Sequence, residues 1–305
     1  MNEISMLEKY GEDLTKRVFI TNPAIGRDDE IKELILILLT PEKSAILTGK
    51  PGIGKTAIVE GLAYLIQINK VPNALLGYTI IKINTPALIG TTNSGDAKIQ
   101  VLLEELKKLD KVILFIDEIH TLIASNSEQS LDFANMFKPG LDRGSIKVIG
   151  ATTTEEYERY ILRDKAFVRR FQKVEVLEPT REQTIEIMMG TIPKIEKKTG
   201  VVLDYSNFTK EQICAFIVDL TTEYRRIYEI GSRYPDICLT LLTQAFSYAV
   251  FDNMQRLTIN HIYKAIANTK NVYPDVVKKE LVRFNQIFKD TISEENIGPS
   301  NEEII

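Results

Sequence analysis

Gly49-Lys50-Pro51-Gly52-Ile53-Gly54-Lys55-Thr56 follows directly on the short apolar run Ala45-Ile46-Leu47-Thr48, and a helical pattern continues from Thr56 to about Asn69. An apolar strand, a glycine-rich loop and a helix in that order, with Lys-Thr at the junction, form the G-x-x-x-x-G-K-[ST] arrangement. The glycines let the loop turn its backbone N–H groups inward, and the helix adds its positive N-terminal end, so the loop suits an anion. Gly49, Pro51, Gly52, Ile53, Gly54, Lys55, Thr56 and Ala57 are therefore expected to cradle the phosphates of ATP. Lys55 is expected to reach the β- and γ-phosphates, and the Thr56 hydroxyl to ligate Mg²⁺.

Outward from this loop, strand and helix signals alternate. Thr79-Ile80-Ile81-Lys82-Ile83 reads as a strand, Gln100 to Leu109 as a helix, and Ile146-Lys147-Val148-Ile149 and Val174-Glu175-Val176 as further strands. Val112-Ile113-Leu114-Phe115-Ile116 is five apolar residues in a row, the pattern of a strand buried on both faces of a parallel sheet. The alternation predicts an α/β fold with a doubly wound parallel sheet. Asp117 and Glu118 close the apolar strand at its carboxyl end, where such sheets place their ligand crevice. Asp117 is expected to hold Mg²⁺ through water, and Glu118 to activate an attacking water. His120, on the same turn, is read as structural.

After Glu178-Pro179 the pattern is helical throughout. Ile213, Phe216, Ile217, Leu220 and Tyr224 fall on one helix face. Ile237, Leu241, Leu242, Ala245, Phe246, Ala249 and Val250 fall on a second. Ile259, Ile262, Tyr263 and Ile266 make a third, and Val277, Leu281, Phe284 and Phe288 a fourth. The predicted organisation is an α/β domain over 1–178, with 1–14 as an N-terminal extension. A small all-helical domain follows over 179–289, then a polar tail over 290–305 that is expected to be disordered.

Composition excludes several classes. The 305 residues carry 38 Lys+Arg against 42 Asp+Glu, a net charge of −4. Two cysteines and two histidines cannot build a disulfide scaffold, a zinc ribbon or a His-rich metal site. No apolar run approaches the ~18 residues of a membrane span, and no signal-peptide core is visible, so a cytoplasmic location is expected. The acidic balance argues against nucleic acid as a partner. Lys107, Lys108, Lys111, Lys194, Lys197 and Lys198 are read as solvated helix faces, because no aromatics interleave with them.

Four stretches taken together resemble the Clp branch of the AAA+ ATPases, in the order of its first ATPase module: GKPGIGKTAIVEGLA (49–63), ILFIDEIHTLI (113–123), DFANMFKPGLDRGSIKVIGATTTEEY (132–157) and RRFQKVEVLEPT (169–180). The similarity runs from about Leu7 to the mid-250s. It implies an AAA+ P-loop domain followed by a helical lid, and hydrolysis of Mg²⁺-ATP. It places Ile25 and Gly26 in the segment that cups adenine, and Thr153 at the sensor position near the γ-phosphate. It makes Arg169 and Arg170 the arginine fingers that reach a neighbouring subunit's site. Pro235 and Asp236 match the lid segment beside the adenine, whereas Arg233 stands one residue nearer the proline than is usual. The resemblance further implies a homo-oligomeric ring, a hexamer in this family, acting on a protein partner.

The sequence departs from that family in its pore-loop stretch. Gly90 and Gly95 align, but Asn93 stands where an aromatic residue grips threaded polypeptide, and Thr92 and Ser94 replace its basic neighbours. An Asn offers little apolar contact area, which argues against axial threading. The stretch 124–128 is also shorter and less glycine-rich than its counterpart. The length leaves no room for an amino-terminal substrate domain, a coiled-coil insertion or a second ATPase module, so docking of a peptidase is not expected. The expected function is a ring-forming ATPase that remodels or moves a protein partner. The alternative is an ATP-controlled assembly or scaffold without threading, and a DNA-linked loader is a lesser one.

Overall fold

The computed structural model describes residues 6–83, 85, 98–106, 108–123, 146–163, 165–227 and 233–295. The chain falls into two compact units, Met1–Leu177 and Glu178–Ile305.

In the first unit, helix α1 (Met6–Tyr10) leads into strand β1 (Gly11–Asp13), and α2 (Asp28–Leu39) precedes β2 (Ser44–Thr48). Helix α3 (Lys55–Gln67), strand β3 (Thr79–Ile83), α4 (Lys98–Leu106) and β4 (Val112–Ile116) follow. Next come α5 (His120–Ile123), β5 (Lys147–Thr152), the one-turn helix α6 (Thr154–Glu156), α7 (Lys165–Val168) and β6 (Phe171–Glu175).

The sheet order is β1-β3-β4-β5-β2-β6. β2 through β6 run parallel, as the alternation of strands and helices requires. β1 is an antiparallel addition at the edge, with Gly11 opposite Ile83 and Asp13 opposite Ile81. Its Gly-Glu-Asp sequence has no strand propensity, so the pairing comes from the open edge of β3 and not from local preference. All five residues of β4 are buried, and successive side chains go to opposite faces. Ile113 and Phe115 join the core against α2 and α3; Leu114 and Ile116 join the one against α4, Ile119 and Tyr157.

The second unit packs α8 (Arg181–Thr199), α9 (Asn207–Leu220), α10 (Asp236–Phe251), α11 (Ile259–Ala267), α12 (Pro274–Ile287) and α13 (Lys289–Glu294) on one core. Phe216, Phe284 and Phe288 sit at its centre, Phe216 edge-on to both others. α8 opens with a reciprocal Thr180–Gln183 cap and closes on Gly200 at φ 74°.

Three readings of this unit change. Tyr224 leaves the expected face, because α9 ends at Leu220 with Thr221 as its cap; Tyr224 lies in a 3₁₀ turn and is 95% exposed. Val250 turns outward at the end of α10. The stretch expected to be disordered from 290 is helical through Glu294: Ile292 packs on the core, and the Glu295 carboxylate accepts from the Tyr205 hydroxyl and the Ile259 N–H. The stretches 86–97, with Asn93, and 124–145, together with 296–305, lie outside the described residues.

Candidate active site

The strand order sets β4, β5 and β2 side by side, so their carboxyl ends deliver three segments to one place. β2 ends in the glycine-rich loop, β4 in Asp117-Glu118 and β5 in Thr152-Thr153. They enclose a cavity of about 470 Å³. Pro51, Gly52, Gly54, Lys55 and Thr56 line it from one side, Asp117 and Glu118 from another, and Thr152, Thr153 and Glu156 from the third.

Asp117 is held from several directions. Its Oδ2 accepts the Thr56 hydroxyl at 3.1 Å and lies 3.5 Å from the Lys82 ammonium. Its Oδ1 accepts the Glu118 N–H at 3.2 Å, and its backbone carbonyl accepts the Thr85 hydroxyl at 2.7 Å. A hydroxyl and a carboxylate oxygen this close are the hard donors that Mg²⁺ takes beside its own waters, so Thr56 and Asp117 fit that ion.

Glu118 is exposed and has φ 51°, a left-handed conformation that costs a non-glycine residue about 1–2 kcal/mol. The turn is pinned on both sides: Ile119 N–H donates to Ala151 carbonyl at 3.0 Å, and the Thr121 N–H and hydroxyl both donate to the Glu118 carbonyl at 2.9 Å. Strain of this kind persists only where the surroundings over-determine it, and it collects at functional positions.

The Lys55 ammonium donates to the Gly49 carbonyl at 2.8 Å and the Lys50 carbonyl at 3.0 Å, lying across the loop. Burial holds its pKa below the usual lysine value, opposed by the charges of Asp117, Glu156 and Glu118. Beneath the loop, Ile53 is 1% exposed, and a Cβ on Gly49 would meet the Val176 carbonyl at 2.4 Å. Gly49, Ile53 and Ala57 thus support the loop without lining the cavity.

Thr153 lines the cavity, but its hydroxyl is engaged. It caps α6, accepting from the Glu156 N–H at 3.2 Å, while Glu156 Oε2 accepts from the Thr153 N–H at 3.1 Å. The same Oε2 accepts the Thr152 hydroxyl at 3.1 Å and lies 3.1 Å from His120 Nδ1. Burial works against ionising Glu156, yet the Thr153 N–H and hydroxyl, His120 and the Thr152 hydroxyl together lower its pKa. The expectations had missed Glu156, although Thr153-x-x-Glu156 is the sequence signature of such a reciprocal cap.

Other expected residues stand apart from the cavity. Gly26 makes the left-handed turn, at φ 67°, that leads to α2, with half-buried Ile25 before it. Arg169 and Arg170 form the turn between α7 and β6. The Arg170 carbonyl accepts from the Ser44 N–H at 2.9 Å, which puts the pair at the amino end of β2, whereas the cavity is at its carboxyl end. Five strand residues at about 3.3 Å each separate the two ends by roughly 15 Å. Pro235 and Asp236 belong to the second unit, where buried Pro235 follows a cis peptide bond and exposed Asp236 starts α10. Arg233 Nη1 lies 3.6 Å from Glu223.

Residues 45–178 match the family described as "ATPase family associated with various cellular activities (AAA)". The chain is 42% identical over 250 residues to the chaperone protein ClpB of Aquifex aeolicus (strain VF5), covering 80% of this chain and 24% of that protein. It is 38% identical over 276 residues to a probable ATP-dependent Clp protease ATP-binding subunit of Chlamydia pneumoniae, covering 88% and 32%. The chain contains a Clp-type AAA+ ATPase domain. It is homologous to the first ATPase module of ClpB and Hsp104. Among solved structures, Hsp104 in its closed state with ATPγS and FITC casein superposes at a TM-score of 0.76 with 33% identity, over 95% of this chain and 50% of that one. An S. cerevisiae Hsp104–ADP complex gives 0.73 with 33% identity, over 94% and 49%. The chain therefore spans about a quarter to a third of the curated relatives it matches and half of the Hsp104 chains. An AAA+ ATPase domain implies ATP, typically with Mg²⁺, as the ligand.

Proposed function

We propose that this chain hydrolyses Mg²⁺-ATP in a homo-oligomeric ring, a hexamer, and uses the cycle to remodel or move a protein partner in the cytoplasm. One observation carries the proposal: a single cavity gathers the loop lysine Lys55, the Thr56–Asp117 pair and the strained Glu118. Backbone N–H groups of the loop and the Lys55 ammonium would bind the phosphates, which requires Lys55 to leave the Gly49 and Lys50 carbonyls. Thr56 and Asp117 would hold Mg²⁺, which when bound neutralises charge on the β- and γ-phosphates. Glu118 would orient water and take its proton, while Thr153 and Glu156 fix the far wall. Arg169 and Arg170, at the opposite end of the sheet, would complete a neighbouring subunit's site.

The test separates binding from turnover. Lys55→Ala is expected to abolish ATP binding, and Glu118→Gln to keep it while losing most hydrolysis. Wild-type turnover in Glu118→Gln would remove Glu118 from its role.

Asn93 favours a second reading, an ATP-controlled scaffold, because it lacks the apolar area to grip a threaded chain. On that reading a stable reporter domain is not unfolded, even with ample ATP and a trap for unfolded chains. ATP-dependent loss of reporter signal that disappears in Asn93→Ala would reject it.

A further inference from the structure

Arg27 is a charged residue only 4% exposed, and the ATPase reading assigns it no part. Its guanidinium ties together three segments. Nη1 donates to Glu30 at 2.6 Å and to the Leu177 carbonyl at 3.0 Å, and Nη2 donates to the Ile53 carbonyl at 2.7 Å. A buried charge with this many partners is costly to lose, and arginine's planar fork is suited to holding several acceptors at fixed angles. Gly26, at φ 67°, aims the chain so that Arg27 turns under the loop.

The bond to Ile53 has a geometric consequence. A trans peptide is planar, so its carbonyl and its N–H point in opposite directions. The Ile53 carbonyl is directed to Arg27, beneath the loop, so the N–H of the same peptide, that of Gly54, is directed the other way. Gly54 lines the cavity; Ile53 does not. Gly54 has φ 100°, where rotation of this peptide meets little steric resistance, so an external clamp is what would fix its direction. We infer that Arg27 is a positioning residue of the phosphate site: by holding the Ile53 carbonyl outward it presents the Gly54 N–H to the β-phosphate of a bound nucleotide. This rests on reading the loop as the nucleotide's phosphate site.

The test uses the full chain labelled with ¹⁵N-glycine and titrated with ADP. Wild-type protein is expected to bind ADP and to show the Gly54 N–H moving downfield. Arg27→Met is expected to bind ADP about tenfold more weakly, with that movement lost. Glu30→Gln, which alters an Arg27 partner but leaves the clamp on Ile53, is expected to stay within twofold of wild type and to keep the movement. If Arg27→Met fails to fold, Arg27→Lys carries the test. An ammonium is a compact point charge and lacks the planar fork that divides Ile53 from Glu30 and Leu177 between Nη2 and Nη1, so a three- to fivefold loss is expected. Affinity within twofold of wild type in Arg27→Met with the Gly54 movement intact, or in Arg27→Lys where that variant is used, overturns the proposal. Wild-type protein that binds no ADP overturns the nucleotide reading itself, a separable result.

Discussion

Gly150→Ala tests whether packing inside the sheet sets the position of the water-activating carboxylate. Gly150 lies in β5 between Ile46 of β2 and Ile116 of β4, so its backbone is paired on both sides and has no room to retreat. A Cβ there would sit 2.9 Å from Ile119 Cδ1, 3.1 Å from Cγ2 and 3.4 Å from Cβ. Ile119 is fully buried, so the side chain cannot swing into solvent. Overpacking of a filled core costs about 1–3 kcal/mol, and the stiffer unfolded chain of an alanine returns about 0.4–1 kcal/mol. A net loss of about 1–2 kcal/mol lowers the melting temperature of a unit this size by about 3–6 °C. Ile119 follows Glu118 directly, so the wedge is transmitted to a residue already held at φ 51°. A displacement near 1 Å is enough to cost up to about a hundredfold in rate, so turnover is expected to fall at least about tenfold. ATP affinity should stay within about twofold, because Gly52–Thr56 is not touched by the change. Thermal unfolding, nucleotide titration and steady-state hydrolysis measure the three quantities. A variant that melts lower but turns over at the wild-type rate would refute the link from Ile119 to Glu118, and an unchanged melting temperature would refute the packing argument itself.

Glu156→Gln removes the charge that accepts from Thr152 and Thr153 and lies beside His120; a loss of about 1–2 kcal/mol in stability and a several-fold drop in turnover are expected, read by thermal melts and phosphate release. Replacing Arg169 and Arg170 together with Ala should leave ATP binding intact and remove hydrolysis, and adding the Lys55→Ala protein should restore part of it; failure of mixing in a sample shown by sedimentation to co-assemble would count against a shared site. His261 is 4% exposed, its Nδ1 accepts from the Thr258 N–H at 3.0 Å, and burial holds its pKa below 6.5 despite Asp252. Below about pH 6.5 the unfolded chain takes up a proton that the folded one resists, so stability falls with pH from there down through the folded pKa. His261→Gln should show a shallower loss of melting temperature between about pH 7 and 5.5, and an identical slope would remove His261 from that dependence.

The parallel sheet and the helical unit were legible because their signals are local. Val112–Ile116 is apolar at every position, and Ile213, Phe216, Ile217 and Leu220 in one stretch and Val277, Leu281, Phe284 and Phe288 in another fall at helical spacing. The end of β5 was less so: the strand was expected to stop at Ile149 but runs on through Gly150-Ala151-Thr152, where Gly150 and Ala151 have weak strand propensity and the pairing with Ile46, Leu47 and Thr48 of β2 carries the strand. β1 was invisible for the same reason, since three polar residues become a strand only by meeting an open edge. At the site, the glycine-rich loop and the acidic pair could be read as spacing along the chain. Lys82, Thr85 and Arg27 could not, because each acts through a partner 26 to 150 residues away that only the sheet brings near.

The polarity of the sheet then constrains how the arginine pair can act. In a parallel sheet every strand delivers its carboxyl end to the same side, so phosphate loop, acidic pair and Thr152-Thr153 converge without help from distant loops. The same polarity sends each returning helix to the opposite side before the next strand begins. Arg169 and Arg170 precede β6 and so lie on that opposite side, with the Arg170 carbonyl bonded to the first residue of β2. A guanidinium reaches about 6–7 Å from its own backbone, less than half of the roughly 15 Å between the two ends of β2. Within one copy the pair falls short of its own phosphate site. A second copy that sets its arginine end against the cavity end of the first meets no such limit. That contact is head-to-tail, and repeated about a closing rotation it makes a ring. The trans role of Arg169 and Arg170 and the ring are therefore one proposal, and the mixing experiment addresses both.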